Sequence, residues 1–413
     1  MKLEIVQRGP EPSSTAPYLS DAVRAGPYVF ASGLLVPTER TGSPYDSPIK
    51  AQTELALRGL AESLEAGGSS LGQAVKLGSF HTDLDELPAH LEVRRQLFSD
   101  PGPPSTALGC GLVREGAVIE VDVVGLVAAS GADREVIFSD RVPRPVAPYA
   151  QAIKAGPLVF VAGTMATDFR TGIVAEARVP EGLPWFGSPI RRQTEWVLGA
   201  IGDVLEAAGS SLDQVVKAQV ILTDMSDLFG LDEVWRAFFG AAPPARTVVE
   251  GGLVNPGCLV EVDVVAIAPE SGWQKEVVVT DRAPMPTVCQ SQAVRAGDFV
   301  FTSGLLPTDF ATGLAPEVRI DPRFPRYGSA IKKQVSFVLG NLEEILRASG
   351  SDLSGVARVG AFHTALARDL LGAMEVRRER FGSSPPASTT IEVSRLAVPG
   401  SLFMLDAVAV TTS

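Results

Sequence analysis

A single chain that repeats itself three times has few ways to fold, and this one does. Glu65-Ala66-Gly67-Gly68-Ser69-Ser70-Leu71 returns as Glu206-Ala207-Ala208-Gly209-Ser210-Ser211-Leu212 and again as Arg347-Ala348-Ser349-Gly350-Ser351-Asp352-Leu353. Gln52, Gln193 and Gln334 precede these segments at a constant 141-residue interval. Upstream, Arg24 to Gly33, Lys154 to Gly163 and Arg295 to Gly304 form a second matching set. From that last glycine to the glutamine is 19 residues in copy one and 30 in the others, so copies two and three carry an eleven-residue insertion. A period near 138 residues is far above solenoid periods and long enough for a complete domain. The expected boundaries are 1–135, 136–276 and 277–413, with short linkers around Ser130-Gly131-Ala132-Asp133 and Pro269-Glu270-Ser271-Gly272. The natural arrangement is the covalent equivalent of a symmetric trimer.

Copy two is the most legible. Val159 to Ala162 is a short apolar strand. Ser188-Pro189 starts a helix, with serine as N-cap and proline in the first turn. Ile190, Thr194, Val197, Leu198, Ile201, Val204 and Leu205 then recur on one helical face, and Gly209 stops it. Val215 to Thr223 reads as a strand and Leu228 to Phe239 as a second helix. Arg246 to Glu250 and Cys258 to Ala268 read as closing strands. Each copy is thus a ββ(β)αβαββ unit of α+β class, its two helices on one sheet face.

Composition narrows the function classes. Of the 413 residues 45% are apolar and 20% charged, as in an ordinary globular protein. A net charge of −12, with no concentrated basic patch, argues against nucleic acid or an anionic membrane as partner. Met1 to Arg8 has no signal-peptide pattern, and no run approaches a membrane span, so a cytoplasmic location is expected. Cys110, Cys258 and Cys289 are too scattered for a disulfide framework, and Cys110 is expected to be an inert buried thiol. Three histidines without ligand spacing make a metal site an unattractive reading.

Pro243-Pro244-Ala245-Arg246 and Leu259-Val260-Glu261-Val262-Asp263 hold the residues with the clearest chemistry. A guanidinium beside a carboxylate suits holding a small carboxylic acid and activating a water next to it.

Several segments together resemble the reactive-intermediate deaminase (Rid/YjgF) family. They are Pro148-Tyr149-Ala150-Gln151-Ala152, Gln193-Thr194, Glu206-Ala207-Ala208-Gly209, Pro244-Ala245-Arg246 and Val260-Glu261-Val262; Ala162-Gly163-Thr164 departs from the family's Ser-Gly-Gln. The resemblance spans the chain once per copy. It implies chorismate-mutase-like domains in an intramolecular pseudo-trimer, sheets inside and helices outside, with clefts between neighbours. The chain would then act as a monomer or as a dimer of chains. It also implies cofactor-free hydrolysis of an enamine or imine in a small-molecule carboxylate substrate, releasing ammonia.

Compared copy by copy, the arginine position holds Thr106, Arg246 and Ser388. The glutamate position holds Glu120, Glu261 and Met404, and the tyrosine position Leu19, Tyr149 and Gln290, with Tyr18 able to substitute for Leu19. The expectation is therefore one family-type site, built on Arg246, Glu261 and Tyr149, lined by Gly163 and Thr164, and closed by a neighbouring copy. Glu120 has no arginine in its own copy. His81 and His363 stand where copy two has Leu222, in the two copies without that arginine. They are either satisfied strand histidines or the centre of rebuilt clefts with different chemistry, such as cyclisation or C–N hydrolysis. Trp185, Phe186, Phe324 and Tyr327, in the inserted loops, are candidates for lids or packing. Two altered clefts out of three also fit a non-catalytic binder, whereas the asymmetry fits an enzyme of a specialised pathway.

Overall fold

The structure, a computed structural model, describes residues 1–8, 19–37, 48–180, 182 and 187–412. Tyr18, Trp185 and Phe186 lie outside the described residues.

Copy one runs β1 (Leu3–Val6), β2 (Ala22–Ala25), β3 (Tyr28–Ala31), α1 (Pro48–Ala66), β4 (Ala74–His81), α2 (Leu87–Leu97), β5 (Ser105–Gly109) and β6 (Ile119–Leu126). Copy two repeats it with β7 (Arg134–Ile137), β8 (Ala152–Ala155), β9 (Leu158–Val161), a short β10 (Thr164–Met165), α3 (Pro189–Ala207), β11 (Val215–Leu222), α4 (Leu228–Phe239), β12 (Ala245–Glu250) and β13 (Val260–Ile267). Copy three follows with β14 (Lys275–Val278), β15 (Ala293–Ala296), β16 (Phe299–Thr302), α5 (Ala330–Ala348), β17 (Val356–His363), α6 (Leu366–Phe381), β18 (Ala387–Glu392) and β19 (Phe403–Val410). The opening strands β7 and β14 span the expected boundaries near 136 and 277.

The three sheets share one strand order, β1-β2-β3-β6-β4-β5 in copy one. Every pairing is antiparallel except β4 with β5 and its counterparts, which a helix must connect. That helix, α2 in copy one, and the long α1 cover the outer sheet face. Helix α3 shows why: Ile190, Val197, Leu198, Ile201, Val204 and Leu205 are all buried on its sheet side. Gly209, at φ 76°, ends it in the left-handed region.

The inner sheet faces meet one another. Tyr28 sits 5.5 Å from the Phe160 ring and 5.7 Å from the Phe299 ring, one aromatic from each copy. The Tyr28 hydroxyl donates to the Ala155 carbonyl across the interface. Ions close the ring. Lys76 of copy one pairs with Asp263 of copy two at 3.3 Å, Lys217 with Asp406 of copy three at 2.9 Å, and Arg358 with Asp122 of copy one at 2.7 Å. In each case a threonine (Thr106, Thr247 or Thr389) donates to the same carboxylate at 2.6 Å. Edge strands seal the joints in the same cyclic sense. The amides of Gly163, Gly304 and Gly33 donate to the carbonyls of Ser105, Arg246 and Ser388, each at 3.1 Å. The chain is a closed pseudo-trimer with its sheets inside and helices outside.

Candidate functional site

The three joints are three comparable clefts, and the backbone register states which residues correspond. Ser105 pairs with Leu77, Arg246 with Ala218 and Ser388 with Val359, at the same place in each sheet. The counterpart of Arg246 in copy one is therefore Ser105. Thr106 is the counterpart of Thr247 and belongs to the axial ion network, which corrects the expectation from sequence. Glu120, Glu261 and Met404 do correspond, opposite Phe80, Ile221 and Phe362.

Arg246 and Glu261 do not meet. Side chains alternate across a strand. Val260, Val262 and Val264 enter the core under the helices, so Glu261 points the other way, to the inner face. Arg246 points outward with Val248, against α4. The residues are also two strands and three register steps apart, about 14 Å between α-carbons. Arg246 faces copy three; Glu261 faces copy one. The single site expected on Arg246, Glu261 and Tyr149 is not assembled.

Between copies two and three, Arg246 is buried with its Cζ 5.0 Å from the centre of the Trp235 ring. One terminal nitrogen, Nη2, donates to Asp232 at 2.8 Å. Copy three supplies Gln290 in place of tyrosine and Met404 in place of glutamate. Gly304, which a β-carbon would bring to 2.6 Å from the Met404 sulfur, lies directly beneath that side chain. In this cleft the guanidinium is engaged by Asp232, with its Nε and Nη1 unpartnered among the described residues, and a methionine stands where the other joints have glutamate.

Between copies one and two, a guanidinium arrives from an unexpected element. Arg94 on α2 is buried and donates through Nη1 to the Ser105 hydroxyl at 3.1 Å. Its Nε and Nη2, which together form the side-on fork that grips a carboxylate, find no partner among the described residues. Burial pulls Arg94 down to about 10, still charged at neutral pH, and Tyr149 acts against that fall. Tyr149 feels both Arg94 and Glu261: burial and the Glu261 charge push its hydroxyl up, and Arg94 opposes them. Glu261 lies over Gly163, where a β-carbon would be 1.9 Å from Oε1; its Oε2 has no partner among the described residues. Burial, then the neighbouring Asp263, raises its carboxyl to about 8, with Lys76 of copy one opposing. Tyr149, Gly163 and Thr164 share the wall of one small pocket, and the Thr164 hydroxyl donates to the Ala162 carbonyl. The cleft thus gathers Arg94, Tyr149 and Glu261 from two copies.

Between copies three and one the same parts recur. Arg377 on α6 is buried and donates to the Ser388 hydroxyl at 2.8 Å, and its Nε is unpartnered among the described residues. Glu120 lies over Gly33, with a β-carbon there 1.9 Å from its Oε1. Burial and then Asp122 raise it to about 8, opposed by the Thr390 backbone of copy three. The nearest link to an arginine runs through copy three: Thr390, whose backbone acts on Glu120, accepts from Arg377 at 3.4 Å through its hydroxyl.

The histidines belong to this rearrangement. His81 and His363 are fully buried beneath α2 and α6, on the helix-facing side of their strands. His81 packs edge-on against His90 at 5.1 Å, and His363 against Phe403 at 5.0 Å. Burial, then the Arg94 or Arg377 charge, lowers each to about 4 and keeps it neutral. Copies one and three thus combine a strand histidine, a helix arginine and a strand serine where copy two combines Leu222, Trp235 and Arg246. The helix signal stood in the sequence: Glu92-Val93-Arg94-Arg95 and Glu375-Val376-Arg377-Arg378 flank Glu233-Val234-Trp235-Arg236. Arg94, Arg377, Asp232 and Trp235 escaped the motif-based reading because the family motif directs attention to the strand.

Burial pushes the Cys110 thiol up, followed by the nearby Glu120 and Glu392 charges, and the three cysteines are free. Phe324 and Tyr327 are exposed and pack edge-on against each other at 5.8 Å. Among the described residues no group of three or more His, Cys, Asp or Glu side chains could hold a metal ion. No helix there is long and apolar enough to cross a membrane.

A ring of three tandem α+β units, each a sheet with its helices outside, defines the class of protein. This chain belongs to the family described as Endoribonuclease L-PSP, which it matches over residues 9–127, 139–268 and 280–411. It is similar to a RutC family protein of Pyrococcus horikoshii, 39% identical over 133 residues, covering 32% of this chain and 97% of the relative. It is also similar to the chloroplastic Reactive Intermediate Deaminase A of Arabidopsis thaliana, 30% identical over 140 residues, covering 34% of this chain and 69% of that protein. Among solved structures, RidA of an Antarctic Psychrobacter is 34% identical, covering 32% of this chain and 98% of that one, at a TM-score of 0.27.

Proposed function

We propose that the chain is a hydrolase that converts an imine or enamine beside a carboxylate into a 2-oxo acid and ammonia, and that it does so between copies one and two. One observation carries this reading: the side-on fork of Arg94 has no partner among the described residues, and Tyr149 feels the charges of both Arg94 and the buried Glu261. The resemblance to a named reactive intermediate deaminase supports the reaction class.

In this reading Arg94 binds the substrate carboxylate bidentately, which fixes the C=N carbon near Glu261. Glu261, raised to about 8, is protonated at neutral pH and can give its proton. With an enamine, the proton goes to the β-carbon and the C=C pair becomes the iminium. Water then adds to the iminium carbon. Its surplus proton passes through the Glu261 carboxylate to the nitrogen; as the C–N bond breaks, the remaining hydroxyl gives its proton to Glu261, so ammonia and the 2-oxo acid leave with Glu261 protonated again. The Tyr149 hydroxyl, held neutral, orients substrate or water by hydrogen bonding. No cofactor takes part in these steps.

The test generates an imine from an L-amino acid with an amino-acid oxidase and follows 2-oxo acid release with and without the protein. Acceleration by the wild-type chain, lost in Glu261→Gln, is the expected result. No acceleration would overturn the reading and favour a binding protein.

A further inference from the structure

On the common axis the three sheets enclose a cavity of about 130 Å³, and the ion pairs that close the ring stand in its wall. Three cations and three carboxylates cancel, so these groups carry no net charge. The wall is not threefold in detail. Lys76 and Lys217 are fully engaged: each ammonium meets its aspartate, a threonine hydroxyl and a carbonyl of the next copy, Val161 or Thr302. Arg358, at the same strand position, donates through Nη2 to Asp122, and its Nε and Nη1 find no partner among the described residues. Asp122 and Asp406 are tucked against glycine: the amides of Gly78 and Gly360 donate to their Oδ1 atoms, each at 3.1 Å. A β-carbon on those glycines would come within 2.5 and 2.6 Å of these oxygens. Copy two has Gln219 there, opposite Asp263 in the register, and its β-carbon excludes the same contact. Among the described residues Asp263 is bonded only through Oδ2, to Thr106 and Lys76, and its pair with Lys76 is the longest of the three. The Gln219 side-chain amide, also in the wall, has no partner there either. Two residues along the same strand, Ile221 stands where copies one and three have Phe80 and Phe362.

We propose that this axial cavity binds a small α-amino acid as its zwitterion. Arg358 takes the carboxylate and Asp263 Oδ1 takes the ammonium. The Gln219 amide, a donor at one atom and an acceptor at the other, bridges the two ends. A wall of balanced charges selects such a ligand. One with a net charge would bring that charge away from water uncompensated, and a wholly apolar one would leave the free donors and acceptor unpaired. Volume limits the side chain. A cavity of about 150 Å³ accepts a benzene ring, so about 130 Å³ suits glycine, alanine or serine, with the side chain toward Ile221. The covalent ring is what permits this site. With three identical chains every axial group would occur three times, and an amino acid would meet no unique orientation. Here arginine for lysine, glutamine for glycine and isoleucine for phenylalanine single out one. Arg94, Tyr149 and Glu261 do not line the cavity, so the site is distinct from the clefts at the joints and independent of the reaction proposed for them.

The experiment is equilibrium dialysis of the full chain against radiolabelled glycine, L-alanine and L-serine, with propanoate and ethylamine as counterparts of alanine that each lack one charge. The variants are Arg358→Lys, Gln219→Gly and Glu261→Gln. The first two install residues that other copies already carry at those positions, Lys76 and Gly78 among them, so both are expected to fold, which circular dichroism checks. Wild type is expected to bind at least one of the amino acids, one molecule per chain. Arg358→Lys and Gln219→Gly should each weaken that binding about tenfold or more, as should removal of either charge from the ligand. Glu261→Gln should leave it unchanged. If wild type binds none of the three amino acids, the proposal is overturned. If either Arg358→Lys or Gln219→Gly binds as wild type does, the assigned contacts are wrong and the proposal falls. Binding lost in Glu261→Gln and kept in Arg358→Lys would assign the ligand to the cleft between copies one and two and refute the axial site. Propanoate held as tightly as alanine would refute zwitterion recognition. None of these readouts involves imine hydrolysis, so failure here is distinct from failure of the reaction proposed above.

Discussion

Arg246 and Glu261 project from opposite faces of one sheet, toward two different neighbours. The residue pair that most invites a catalytic reading in the sequence is split between two clefts. The groups that face one another across the joints come from different copies.

Replacing Arg246 should therefore affect stability more than turnover. Arg246→Ala removes one of the two guanidinium partners of Asp232, leaving Arg236 at 3.0 Å and the Cys289 amide, a loss of about 1.5–3 kcal/mol for one charged hydrogen bond. Urea unfolding should show that loss. The rate of 2-oxo acid release per folded molecule should stay within about threefold of wild type. Arg94→Ala should instead lower kcat/KM by about 100-fold, the loss of one charge-assisted carboxylate grip of about 3 kcal/mol.

Activity should fall on the alkaline side. Glu261 acts here in its protonated form, and its folded value lies at about 8. The kcat/KM profile should be level below that pH and decline above it. Glu261→Gln should remove the limb together with the activity.

The same carboxyls make stability depend on pH. Glu120 and Glu261 are raised in the folded protein above the ordinary value of about 4.3. Their neutral burial favours folding fully below about pH 4.3, and that contribution is lost as pH climbs through about 8. Thermal melts of Glu120→Gln and Glu261→Gln should exceed wild type most clearly at pH 9, with the difference shrinking toward pH 5.

The axial ion ring should fail from the acid side. Burial alone would raise Asp406, but Lys217 and Arg358, with the Thr247 and Lys217 hydrogen bonds, more than offset it and hold it low. A depressed carboxylate stabilises the fold above its unfolded value of about 3.9 and loses that effect as pH falls through the folded one. Asp406→Ala, which strands Lys217, should cost about 3–5 kcal/mol at pH 7, and the gap from wild type should narrow below about pH 3.

The exchange of arginine between strand and helix should behave as a unit. Trp235→Arg alone places a second guanidinium beside Arg246, and Arg246→Ser alone takes from Asp232 one of its two arginine partners. Together they reproduce the pairing of Arg94 with Ser105. A double-mutant cycle read by urea unfolding should give a coupling of about 1–3 kcal/mol in favour of the pair.

The strands, helices and threefold order were legible because they rest on local periodicity. Leu228–Phe239 spans what the apolar spacing and Gly240 foretell, and Val215–Leu222 differs from expectation by one residue. The glutamate correspondence was legible for the same reason, since Glu120 and Glu261 sit in long alternating strands. The arginine correspondence was not. A one-residue choice between Ser105 and Thr106 moves a side chain from the helix face to the axis, and only the pairing of Leu77 with Ser105 decides it.

By itself the sequence determined three α+β units, their order, their class and the chemical types available to them. Those follow from hydrophobic spacing and turn residues, which act over a few positions. Which groups share a cleft was decided by tertiary structure alone. A site at a joint takes one side chain from the outer face of an edge strand or its helix, and another from the inner face of the next sheet. That meeting depends on how closed sheets pack about a common axis. The conspicuous Arg246 is thereby held by Asp232 and Trp235, while Arg94 and Arg377, from helices bearing no motif, reach Ser105 and Ser388 at the strand positions that correspond to it.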